Sequence, residues 1–194
     1  MPIHQLTVPA LPIVLPLGLA LMVLSVVVLR RRGRLTAAPV ATAWFAGWYL
    51  VAVIGATLLP MPLAWGPGAG PAELYRIDLT PVTDLRVDDF ILNIIMTLPL
   101  AAVLYLVFGV RGRGRVVLIA AALSAAIEVT QGILVLALHG NRWADIHDLI
   151  ANTSGAWLGH ALFWRAMGNA TVRRLAGRCR LAAETDQAAP PVRK

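Results

Sequence analysis

Charge is absent from five stretches of this chain, and the stretches are long. Leu11 to Leu29 gives nineteen uncharged residues, enough at about 1.5 Å per residue to cross a hydrocarbon layer about 30 Å thick. Its prolines, Pro12 and Pro16, fall early, where a helix tolerates them best. A second run, Pro39 to Leu63, carries Trp44, Trp48 and Tyr49. Such rings suit an interfacial belt or helix packing better than a sugar platform. Phe90 to Val110 is a third run, and Val116 to Leu138 a fourth, interrupted only by Glu128. The fifth, Leu149 to Trp164, spans only if the polar turn before it, with Asp148, joins the helix. The pattern predicts an all-α polytopic membrane bundle of five transmembrane helices in the cell membrane.

Composition agrees: 58% of the 194 residues are apolar, only 14% are charged, and the mean hydropathy is +0.72, which argues against a soluble globular domain. The net charge of +7 does not point to nucleic acid, because the bases cluster between apolar runs. Arg30, Arg31, Arg32 and Arg34 follow the first run, Arg111, Arg113 and Arg115 separate the third from the fourth, and Arg165, Arg173, Arg174, Arg178 and Arg180 follow the fifth. In a five-span chain these lie on one side. The positive-inside rule makes that side cytoplasmic, with the N-terminus outside and the C-terminus inside. The opposite side receives Glu73, Asp78, Asp84, Asp88 and Asp89 with Arg76 and Arg86, then the turn from His139 to His147. The first run reads as a retained anchor rather than a cleaved signal, since its positive charge follows the apolar stretch. Cys179, the single cysteine, forms no intramolecular disulfide.

Residues 1–36 therefore form an anchor helix and basic loop, 37–166 a four-helix core, and 167–194 a basic tail that is disordered from Ala182. The loop that begins at Gly66 to Pro71 is long for a bare connector and reads as either a lid or a floppy loop. No inverted repeat of the kind many transporters show is evident; a carrier would need a homo-oligomer to double the helices.

The candidate chemistry lies in polar residues that a membrane should exclude. Glu128 sits roughly 15 Å down the fourth helix, near the bilayer midplane, where an ionisable group faces the bundle or a wet cavity. Ser124, Glu128 and Gln131, spaced four and three apart, share one helix face. The turn at Gly140 and Asn141 folds the chain back, so the fifth helix runs antiparallel and presents Asp145, Asp148, Asn152 and Gly155 on one face. Asn93 enters the third helix from the same side. Gly155 and Gly159 permit close backbone approach, and Arg142 is a cation at the mouth, suited to a carboxylate or phosphate. These stripes predict an outward-facing polar groove.

Three segments carry a resemblance: Asn93-Ile-Ile-Met-Thr-Leu-Pro-Leu100, Ser124-Ala-Ala-Ile-Glu-Val-Thr-Gln131, and Arg142-Trp-Ala-Asp-Ile-His-Asp-Leu-Ile-Ala-Asn-Thr-Ser-Gly155. In order and spacing, from about Ala43 to Trp164, the chain resembles the VanZ-like membrane proteins, named for an accessory protein of glycopeptide (teicoplanin) resistance. Where that family shows Phe before a Pro-Leu/Phe-Gly step, this chain has Thr97-Leu98-Pro99-Leu100. The resemblance implies a small polytopic envelope protein and no established reaction.

On the residues themselves, Glu128 is a general acid or base, with Asp148 or Asp145 as the second carboxylate. Asn93, Ser124, Gln131 and Asn152 orient substrate, and Arg142 holds an anionic or carboxylate head. The expected partner is a membrane lipid or lipid-linked amphiphile; no cofactor is expected. His139, His147 and His160 lack the convergence that a metal site needs, and none is expected. The alternative is a non-catalytic resistance or partner-binding accessory protein. The topology has a direct check. An Asn141→Cys variant should react with a membrane-impermeant maleimide added to intact cells, whereas Cys179 should react only after permeabilisation; the reverse pattern would invert the orientation.

Overall fold

A computed structural model of the chain describes residues 1–80 and 85–182. Asp84, and the part of the tail from 183 onward, lie outside the described residues. Helix α1 (Leu11–Arg31) and helix α2 (Ala37–Leu58) form an antiparallel pair. The predicted second run stops short of Leu63: Pro60 and Pro62 cannot extend a helix, and the chain becomes a strand. That strand, β2 (Met61–Trp65), pairs antiparallel with β1 (His4–Val8), matching His4 to Trp65 and Val8 to Met61.

The third run is divided. Helix α3 (Val87–Thr97) ends two residues before Pro99, and α4 (Leu100–Phe108) resumes after it, because proline has no N–H to continue the ladder. Helix α5 (Arg113–Leu138) and helix α6 (Ile146–Met167) form the predicted hairpin. The turn between them begins at His139, which adopts the left-handed conformation with φ 47°. Its ring lies 3.1 Å from both the Ala64 and Gly70 carbonyl oxygens, fastening the β2 loop to the end of α5. Strands β3 (Ile77–Asp78) and β4 (Ala144–Asp145) pair in parallel, so the long loop is partly ordered by the turn before α6. The tail adds a short helix, α7 (Ala170–Cys179), capped by Asn169.

Among the described residues, four helical spans are long and apolar enough to cross a membrane: α1, α2, α3 with α4, and α5. Helix α6 has 22 residues and does take Asp148 into its first turn, but its polar N-terminal half leaves it outside that set. The apolar side chains of α1, among them Leu11, Leu15, Leu19 and Val23, are exposed. Apolar surface on this scale marks a protein whose solvent is lipid.

Helix α6 is the centre of the packing, against α3, α4, α5 and α7. Between membrane helices the hydrophobic effect gives little, since lipid tails are as apolar as leucine, so close approach at small residues matters most. Ala151 and Ala156 are fully buried. At Gly155 an added Cβ would strike Thr97 Oγ1 and the Ile94 carbonyl, and at Gly159 the Leu98 carbonyl. Substituting Gly159 by Ala should lower stability by about 1–3 kcal/mol, because backbone cannot yield as a side chain does. Gly177→Ala, with no atom within 4 Å of the new methyl, should unfold near the wild-type temperature; thermal unfolding in detergent compares the two.

Candidate functional site

The two stripes meet, with a different partner at each level. Asn152 Nδ2 donates to Ser124 Oγ at 2.9 Å, both groups buried. One turn further along α5, Glu128 Oε2 accepts the Asp145 backbone N–H at 2.7 Å. A turn beyond, Gln131 Nε2 donates to the Thr57 carbonyl of α2 at 2.8 Å. Each bond answers the same demand, since a polar group without a partner in an apolar interior costs more than the bond itself contributes.

Asp145 serves the frame. It is buried at the N-cap of α6, where its Oδ1 accepts the His147 N–H at 2.7 Å. This satisfies one of the donors a helix start leaves open. The same oxygen lies 2.8 Å from His147 Nδ1, and Oδ2 lies 3.5 Å from Arg86. Arg86 also pairs with Asp89 at 3.1 Å and stacks its guanidinium over Trp143 at 5.2 Å. Asp148, one turn into α6, shares the cavity wall with Asn93 and lies in the field of Asp145, Arg86 and Asp89. Arg142 donates to the Leu59 carbonyl, tying the α5–α6 turn to the end of α2.

A cavity of about 850 Å³ opens among α2, α3, α5 and α6. Glu128, Gln131, Asp148, Asn152, Asn93 and Arg142 all line it. Six of the eight residues singled out from the sequence thus share one space. Asp145 stands behind the wall as a cap, and Ser124 faces a neighbouring apolar channel. Arg86, Asp89, Trp143 and Tyr49 also line the cavity and were not singled out. Arg86 and Asp89, three apart at a helix start, carried a signal as an ion pair on one face; the Tyr49 hydroxyl, donating to the Met96 carbonyl at 3.1 Å, carried none.

The arrangement offers three carboxylates to the cavity, Glu128, Asp148 and Asp89, beside amides and two guanidiniums. That set can move protons and bind hydroxyl groups. A separate cluster brings Asp78, Asp145 and His147 ligand atoms within 4.8 Å of one another. Its oxygens already have protein donors: Asp78 Oδ1 accepts the Thr80 N–H at 2.9 Å and the Thr80 hydroxyl at 2.5 Å, and those bonds hold its carboxyl below the usual range.

The cap role yields a test. Asp145→Ala removes the cap and strands Arg86 and His147, so a loss of about 2–4 kcal/mol is expected. Thermal unfolding, with amide exchange at the start of α6, measures it. The Glu128 bond should survive, because its donor is main chain.

No curated protein and no solved structure matches this chain. The model of the VanZ/LLP1 family matches residues 46–167, which include α3 to α6 and every residue that bonds across the cavity from them. With well over half of its length matched, including the segments that carry the polar frame, the chain belongs to the VanZ/LLP1 family.

Proposed function

We propose that the cavity binds an amphiphile of the cell envelope that enters from the outer leaflet, and that Glu128 and Asp148 act on it as an acid–base pair. The observation that carries this reading is the convergence of carboxylates, amides and Arg142 from α3, α5, α6 and the turn before α6 on one cavity of about 850 Å³. Cavities of this size are typical of ligand sites, and a mere strut would not need room beside it. In this reading α6 is the fifth span of a cell-membrane protein whose N-terminus is outside. Glu128 keeps Oε1 for substrate while Oε2 is held by the Asp145 amide, and Asp148 faces the same cavity beside Asn93. Gln131 and Asn152 position polar groups of the substrate, and Arg142 uses the N–H groups that Leu59 does not engage to hold a head-group oxygen. The lipid-linked precursors of the envelope have this amphiphilic chemistry, and altered handling of one would lower glycopeptide susceptibility.

One observation favours a second reading, a binder without turnover: Glu128 is partly committed to holding the main chain. Glu128→Gln and Asp148→Asn separate the readings. For the enzyme, each variant should insert normally, remain abundant and lose turnover of an added lipid by about 10²–10⁴, the usual worth of a general acid or base. For the binder, purified wild type turns over no lipid and the variants lose binding instead. Variants that retain the full cellular phenotype would overturn both.

A further inference from the structure

A second cavity, of about 530 Å³, adjoins the first. Its walls are apolar and come from Gly47, Leu50 and Ile54 of α2, Val103 and Val107 of α4, and Leu123 of α5. The two spaces share walls: Val53, Thr57, Ile127 and Asn152 line both. The Asn152 amide donates to Ser124, which lines the apolar space alone. Small residues leave the room, with Ala46, Gly47, Ala120 and Ala126 in its walls. From Gly47 to Thr57 the channel follows α2 for about 15 Å, lengthwise along the helix.

We infer that a single hydrocarbon tail of the amphiphile lies in this channel between α2, α4 and α5, while its hydroxyl-bearing head lies beside Glu128 and Asp148. The inference rests on the reading given under Proposed function and names the substrate class it left open. Size fixes the tail as one chain. A cavity of roughly 150 Å³ accepts a benzene ring, so this channel has room for on the order of twenty carbon atoms.

Charge selects the head. Glu128, Asp89 and Asp148 line the polar cavity against Arg86 and Arg142. Arg86 is engaged by Asp89 and Asp145, and Arg142 by the Leu59 carbonyl. Three carboxylates therefore face two guanidiniums, and a head that supplies hydroxyl hydrogens suits this lining where a bare phosphate would add a further negative charge. An ordinary bilayer chain would fill the channel equally well if its head played no part, so the inference requires that the two ends be coupled.

That coupling gives an unusual length dependence. A tail already dissolved in a bilayer gains no hydrophobic energy by entering an apolar channel, so occupancy should pass through a maximum at the tail that fits. The test uses the full-length protein in lipid nanodiscs and monoacylglycerols with a mid-tail diazirine, from about ten to about twenty-eight carbons, bracketing the channel's capacity. Photolabels are mapped by mass spectrometry, and in parallel the same probes are tested for protection of Glu128 from a hydrophobic carbodiimide.

The expected result is protection of Glu128, with labels concentrated on Leu50, Val103 and Leu123. Labelling should peak at an intermediate length and fall about tenfold in a Leu50→Trp/Leu123→Trp double variant. Both side chains line the channel and are half exposed, so the rings should fill it without disturbing the buried core. Labelling should also fall in Asp148→Asn. Protection with labels spread equally over the exposed face of α1 would overturn the channel and leave the polar site standing. Channel labelling that ignores Asp148→Asn would show an ordinary bilayer chain, and would overturn the coupling. Absence of protection at every length would remove the head-group reading itself, and the tail assignment with it.

Discussion

Polar side chains placed inside apolar helices must find partners there, and this requirement organises the molecule. Ser124, Glu128 and Gln131 leave α5 at successive turns, and each is answered from a different place: Asn152 on α6, the main chain at Asp145, and the Thr57 carbonyl on α2. Those three bonds fix the rotation of α5 about its axis and the height of α6 beside it. Helix α3 is then drawn onto α6 at Gly155 and Gly159, where the missing Cβ atoms let the Thr97 hydroxyl and the Ile94 and Leu98 carbonyls come close. The cavity is what remains when the helices are held at these points and Pro99 breaks the line between α3 and α4.

Function and frame are divided between neighbouring residues of one segment. Asp145 spends its side chain on His147 and Arg86, and its N–H on Glu128. Asp148, three residues on, faces the cavity. The same carboxylate group therefore does structural work at position 145 and faces open space at position 148, and burial by the turn before α6 makes the difference.

The parts legible from the sequence were those governed by local periodicity. The long runs, the α5–α6 hairpin and the shared faces at offsets of three and four follow from 3.6 residues per turn, and six of eight candidate residues line the cavity because a stripe on a helix stays a stripe once it folds. What local pattern could not supply was any partner that is backbone. The Leu59 carbonyl that takes Arg142, the Thr57 carbonyl that takes Gln131 and the β1–β2 pairing all depend on where a distant main chain passes. The early end of α2 and the break after α3 were written in Pro60 and Pro99, yet the apolar runs continued through both and hid them.

The Glu128 bond to the amide of residue 145 has an evolutionary corollary. A contact between two side chains leaves a record in related sequences, because a change on one side invites a matching change on the other. Here one participant is the peptide group, which every residue except proline provides. Position 145 can drift without severing the link, and position 128 has no counterpart to drift with it. Correlated substitution should therefore be silent about a contact that brings the turn before α6 onto α5, and only the path of the chain reveals it.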